Sequence, residues 1–301
     1  MSKNIVLEIK NIWKKIGHRV IVNDVSLNLY QGDILGFIGP NGAGKTTTIK
    51  LMLGLQSVNG GSVKIGGFDL KKDFVSAISN VGAIIENPDL YMYMSGYENL
   101  CIATNLYGLP KERILEVAKL VGLENRIHDK VKKYSLGMRQ RLGIAQAIIH
   151  KPKVLILDEP MNGLDPEGIK DLKVLLKKIA TEENMAILIS SHLLSELENI
   201  CNRICILSKG KIIKDTNINE IKAISVKTDY ILEVSSVNLQ KILSNFEIID
   251  NHHIKINTNK ENISNILKTL LLNKVDIYEI RKEVASLEEV FINATKDINN
   301  D

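Results

Sequence analysis

The nine residues GPNGAGKTT, Gly39 to Thr47, constrain this chain more than any others. They follow DILGFIG, a short apolar run with strand character, and they open GKTTTIKLMLGL, whose apolar residues recur at helical spacing. The pattern G-x-x-x-x-G-K-[ST] between a strand and a helix is a loop built to hold phosphate. Gly39, Gly42 and Gly44 let the backbone wrap an anion closely, where a Cβ would collide or force a disfavoured φ. Pro40, Asn41, Ala43 and Thr47 complete the cradle, with the amides of 41–47 facing inward and the positive end of the helix behind them. Lys45 is placed to reach the β- and γ-phosphates, and the Thr46 hydroxyl to ligate Mg²⁺.

A second stretch, VLILDEP at Val154–Pro160, supplies the carboxylates such a loop needs. A buried-strand run ends in Asp158, which can hold Mg²⁺ through water opposite Thr46. Glu159 follows at the carboxyl end of the strand, where open α/β sheets place their ligands. A carboxylate there can orient an attacking water and accept its proton.

The rest of the chain fits an α/β fold around these two segments. IVLEIKNIWKK and VIVNDVSLNLY alternate apolar and polar residues as half-buried strands do. Residues 95–148 instead carry helical spacing, broken at Gly108-Leu109-Pro110, and read as a helical insert. Strands and helices then alternate from KVLILDEP to LLSELENICN, the pattern of βα units and a mostly parallel sheet. After Gly210 the texture becomes Asn-rich, and residues 226–301 read as a small α+β extension of a main domain over 1–225, whose helical part covers about 87–150.

Composition narrows the function classes. With 45% hydrophobic and 25% charged residues the chain has the make-up of a globular protein. Its net charge is only +4 and the Lys residues are scattered without a basic stripe, so no nucleic-acid partner is expected. The three Cys (Cys101, Cys201 and Cys205) lack metal-ligand spacing and read as reduced thiols packed in a core. The start MSKNIVLEIK has too short an apolar run for a signal peptide, and no stretch approaches the 18 apolar residues of a spanning helix. A membrane role is expected to come only through a partner. His18, His128, His150, His252 and His253 are read as structural.

Together these motifs resemble the nucleotide-binding subunit of an ABC transporter, over residues 4 to about 225. The resemblance implies a P-loop NTPase of ABC type: a mixed sheet, an N-terminal antiparallel β subdomain, a helical subdomain and ATP with Mg²⁺ as cofactors. YSLGMRQRLGIAQA resembles the family's signature, so Ser135 and Gly137 would touch the γ-phosphate bound by the opposite subunit; Leu136 and Met138 depart from the commonest form. NGLDP resembles the loop that communicates across the dimer through its Asp, here Asp165. ISSH resembles the switch segment, which gives His192 a hydrogen bond to the γ-phosphate. Where the family commonly stacks an aromatic ring on adenine this chain has Ile16, with Trp13 the nearest ring. The tail, with ASLEEVFINAT, resembles an extension found on some of these subunits.

One departure is sharper. The family commonly places a Gln about forty residues past the phosphate-loop Lys, touching Mg²⁺ and the water; here 86 − 45 = 41 and the residue is Glu86. A carboxylate there accepts hydrogen bonds and ligates a cation, but does not donate while ionised. GAIIENPDLYMYMSGYENL with YSLGMRQRLGIA resembles the ATPase subunits of bacitracin-resistance and lantibiotic self-protection exporters. That resemblance implies a second copy of the chain, small permease subunits, and a place on the cytoplasmic face of the membrane. Tyr91, Met92, Tyr93, Met94 and Tyr97 form a candidate permease surface or part of the helical insert's packing. Other exporter substrates, a drug or a lipid, a peptide-sensing role without transport, and a soluble ATPase acting in translation are the rival readings.

Overall fold

The computed structural model describes residues 4–220, 228–235, 246–250, 252–258 and 260–283. The segment ASLEEVFINAT lies outside them. The chain divides into two compact units, Met1–Asn217 and Ile218–Asp301.

The first unit runs β1 (Ile5–Ile16), β2 (Arg19–Tyr30), β3 (Ile34–Ile38), α1 (Lys45–Met52), β4 (Gly60–Ile65), β5 (Phe68–Asp69), α2 (Phe74–Ile78) and β6 (Val81–Ile84). The helical insert follows as α3 (Gly96–Leu106), α4 (Glu112–Leu120) and α5 (Leu136–Ile148). The unit closes with β7 (Val154–Asp158), α6 (Pro166–Glu182), β8 (Ala186–Ser191), α7 (Leu194–Leu197), β9 (Arg203–Ser208) and β10 (Lys211–Asn217). Of these, α7 is much shorter than the helical pattern of LLSELENICN suggested.

Two sheets result. The six-stranded one has the order β10-β9-β3-β8-β7-β6, parallel except for β10 at its edge. Every residue of β3, β7 and β8 is buried, which is why they read as unbroken apolar runs: the sheet is covered on both faces. The four-stranded sheet, β2-β1-β4-β5, is antiparallel and buries alternate residues such as Leu7, Ile9, Leu27 and Leu29.

Local chemistry places the helical insert. Ser95 caps α3 by accepting from the Glu98 amide while the Glu98 carboxylate accepts from the Ser95 amide, satisfying two orphan donors at once. Helix α5 reaches the turn after β6 because Gly143 has no side chain; a Cβ there would lie 2.4 Å from Pro88. This approach brings the signature helix close to Glu86.

The second unit carries β11 (Thr228–Val234), β12 (Glu247–Ile248), β13 (His253–Thr258), α8 (Lys260–Leu272) and β14 (Ile277–Glu283). Its antiparallel sheet has the order β12-β13-β11-β14. Leu232, Ile254, Ile256 and Leu270 form a separate core.

Candidate functional site

The phosphate loop leaves β3 and turns into α1 through Gly44, whose φ of +102° and 2.8 Å clearance from the Ile21 carbonyl to an added Cβ exclude any other residue without strain. The turn is pinned by Ala43 N donating to Pro40 O at 3.1 Å and by Gly210 N donating to Ala43 O at 2.9 Å. Lys45 is buried, donating 2.7 Å to Gly39 O and lying 3.3 Å from a Glu159 carboxylate oxygen. The other Glu159 oxygen is 2.8 Å from His192 Nδ1. The carboxylate thus bridges the loop lysine and the switch histidine.

Below this bridge, Ser190 of β8 joins the two acids of the neighbouring strand. Its hydroxyl donates to Asp158 Oδ1 and accepts from the Glu159 amide at 2.9 Å. Glu159 itself has a left-handed backbone, φ +50°, at the end of β7. Such strain in a non-glycine residue persists where its surroundings over-determine it. Pro40, Asn41, Gly42, Gly44, Lys45, Thr46, Thr47, Glu159 and His192 all border one cavity of about 440 Å³, a size ordinary for small-ligand sites.

A smaller cavity of about 220 Å³ adjoins it. Thr46, Asp158, Glu159 and Glu86 line it together, so the residues assigned to the cation share one space. Glu86 also has a left-handed backbone, φ +65°. Its side chain is 73% exposed, and its nearest cation is Lys50 at 4.0 Å. Among the described residues no three His, Cys, Asp or Glu side chains are arranged to hold a metal by themselves.

A strand–loop–helix cradle, a strand-end Asp-Glu pair and a histidine just past the end of β8 form the geometry of a nucleotide hydrolase. Comparison with known proteins names the family. Residues 22–162 match the family model described as ABC transporter. The chain is 35% identical to the bacitracin transport ATP-binding protein BcrA of Bacillus licheniformis, covering 95% of this chain and 96% of that one. The chain belongs to the ABC transporter family. It is also 43% identical to the lantibiotic transport ATP-binding protein SrtF of Streptococcus pyogenes, over 69% of this chain and 89% of that one. A solved ATP-binding subunit of an ABC transporter superposes with a TM-score of 0.64 at 30% identity, covering 72% of this chain and 92% of that one. The family is one of ATP-binding, transport-coupled ATPases, and this chain is such a subunit.

Within this ABC subunit Ser135 and Gly137 of the signature lie apart from the phosphate cavity, while Leu136 and Gln140 border the smaller cavity beside Thr46. Ser135 caps α5, accepting from the Met138 amide at 3.2 Å, and Asp165 caps α6, accepting from the Gly168 amide at 3.0 Å. Ser135, Gly137 and Asp165 line a third cavity of about 320 Å³, which has no phosphate-loop residue in its wall. Ile16 is half-exposed beside the β1–β2 turn, and Trp13 packs over Gly60 of β4; neither borders the phosphate cavity, whereas Ile21 of β2 does. Tyr91, Met92 and Tyr93 are exposed, while Tyr97 is half-buried and stacks on His128.

Several site residues escaped the sequence reading. Ser190 was visible only as part of ISSH, and its partners lie more than thirty positions away. Asn162 borders both the 440 and the 220 Å³ cavities. Lys50 and Gln140 stand beside Glu86 from different elements, and no local pattern announces either. His150, read as structural, stacks on Tyr107 at 4.3 Å and lies 3.2 Å from Val81 O; burial pushes its pKa down.

Proposed function

We propose that two copies of this chain close around two ATP molecules and drive the permease of an exporter of antimicrobial peptides. One observation carries the dimer: the cavity of Lys45 has no signature residue in its wall, and Ser135 and Gly137 of the same chain open into another. Each chain then supplies half of each composite site, and a second copy brings its Ser135 and Gly137 to the γ-phosphate held by Lys45. The peptide substrate rests on the similarity to BcrA along nearly the whole chain and to SrtF over most of it.

The residues divide the chemistry as follows. Loop amides and Lys45 bind the phosphates, and Lys45 must exchange Glu159 for the γ-phosphate as nucleotide enters. Glu159, freed from Lys45 and still oriented by the Ser190 hydroxyl through its own amide, accepts the proton of the attacking water. His192 holds the other carboxylate oxygen and faces the same cavity, placed to hydrogen-bond the γ-phosphate. The donor set suits Mg²⁺, which prefers oxygen ligands and keeps several waters: Thr46 offers a hydroxyl, Asp158 a carboxylate whose Oδ1 is already oriented by Ser190, and Glu86 a second carboxylate. Bound there, the ion would neutralise charge developing on the phosphates.

We assign the permease contact to an apolar groove of about 540 Å³. Phe74, Ile102, Leu106 and Tyr107 stand exposed along it, and its floor is β6, which leads directly to Glu86. A helix seated there would bear on the strand that carries the linking carboxylate, coupling transport to turnover. An amphipathic helix laying its apolar face into such a groove is a common mode of recognition. The subunit then works at the cytoplasmic face of the membrane.

The test is to express the chain with candidate permease subunits in a peptide-sensitive bacterium, with Glu159→Gln as control. Protection against bacitracin or a lantibiotic that vanishes with the control, together with copurifying permease, supports the reading. ATPase activity and permease copurification without any protection would remove the peptide substrate, and copurification with ribosomes would remove the exporter.

A further inference from the structure

Gln140 carries a buried polar donor at the edge of the site. Its residue is only 5% exposed, yet its Nε2 donor is buried without a hydrogen-bond partner among the described residues. An orphaned buried donor costs roughly 1–3 kcal/mol, which a native protein tolerates where another state repays it. Gln140 borders both the cavity of Thr46, Glu86 and Asp158 and the signature cavity of Ser135, Gly137 and Asp165.

Three acidic residues border the first of these cavities, and two have their carboxylates already engaged. Asp158 accepts from Ser190, and the two oxygens of Glu159 meet Lys45 and His192. Glu86 has, among the described residues, only the 4.0 Å pairing with Lys50, outside on an exposed side chain. Both residues border that cavity: Glu86 is an acceptor with no closer protein partner among the described residues, and Gln140 a buried donor with none. We infer that Gln140 is the positioning residue for Glu86: when nucleotide fills the site, the carboxylate leaves Lys50, enters the cavity and accepts a hydrogen bond from Gln140 Nε2. Since Gln140 lies five residues after Ser135 on the helix that Ser135 caps, this bond ties the signature segment to the strand under the permease groove.

The inference rests on the reading of Glu86 as part of the catalytic site. It explains why a carboxylate works at that position: an acceptor at 86 suits the donor at 140. The partnership is reciprocal, so adding Glu86→Gln to Gln140→Glu should restore what Gln140→Glu alone, which sets acid against acid, loses.

Hydrogen exchange tests this in the full chain carrying Glu159→Gln, which holds ATP unhydrolysed. Mg²⁺-ATP should slow amide exchange across residues 84–90, and Gln140→Met and Gln140→Glu should each lose about tenfold of that slowing, the worth of one hydrogen bond to a charged group. The exchanged pair should recover it. Met is of similar length and brings no orphaned donor, so Gln140→Met should keep the melting temperature and the affinity for ATP. A Met variant that melts early would make Gln140 a structural residue. Unaltered slowing in both single variants, or no recovery in the exchanged pair, would likewise overturn the inference. With Glu159 intact, Glu86→Ala separates the two claims. Wild-type turnover there would remove Glu86 from the site altogether, whereas slowed turnover without any effect of Gln140→Met would remove the pairing alone.

Discussion

Two neighbouring strands of the first unit end in the same way and behave differently. β6 and β7 pair in parallel with Ile84 beside Leu157, and two residues further on stand Glu86 and Glu159, each with a left-handed backbone. Glu159 is 18% exposed and held on both oxygens and on its amide, by Lys45, His192 and Ser190. Glu86 is 73% exposed, with a single distant cation. One strained carboxylate is set before nucleotide arrives; the other is left to be drawn in. On our proposal the first does the chemistry and the second the coupling, since β6 is also the floor of the apolar groove.

Removing the fixed carboxylate should have the largest effect. Glu159→Gln is expected to cut the steady rate of phosphate release by about 10²–10⁴, the usual worth of a positioned general base, with ATP still bound. Ser190→Ala comes next. It leaves the Glu159 amide and one Asp158 oxygen without their partner, so turnover should fall about tenfold or more and unfolding should cost roughly 1–3 kcal/mol less, read by phosphate release and urea titration. Glu86→Gln should retain ATP binding and shift turnover or transport coupling by only a few-fold, about 1 kcal/mol. Wild-type behaviour in both assays would put Glu86 on a par with any surface residue and dissolve the contrast.

The smallest effect concerns the other end of β6. Burial holds the His150 pKa below its ordinary value while the ring lies against Val81 O and Tyr107. The unfolded chain therefore binds this proton more readily, so its contribution to stability is complete above the unfolded pKa of about 6.5 and is lost as pH falls below it. Replacing His150 by Gln should flatten the pH dependence of the melting temperature between pH 7 and 5. An unchanged slope would mean that other groups carry it.

How much of this was legible follows from how far apart the partners lie. The phosphate loop, Asp158, Glu159 and His192 sit in strand–loop contexts whose periodicity is local, and the resemblance built on them led to the family that comparison supports. The alternation of strands and helices likewise foretold the parallel sheet, because strands buried on both faces read as unbroken apolar runs. Ser190, Lys50 and Gln140 were not legible, since each acquires meaning only from residues on another strand or helix. The groove was not legible for the same reason: Phe74, Ile102 and Leu106, which line it, are scattered along the chain, whereas Tyr91, Met92 and Tyr93, a candidate permease surface in the sequence, are adjacent and exposed.

If one chain holds half of each site, nucleotide must join two chains, and mass measurement tests that directly. Light scattering on the Glu159→Gln chain should give 33.6 kDa without nucleotide and 2 × 33.6 = 67.2 kDa with Mg²⁺-ATP, returning to the monomer when Ser135 is also replaced by Arg. A chain that binds ATP tightly and stays at 33.6 kDa would contradict it, and would leave the signature cavity without the role proposed for it.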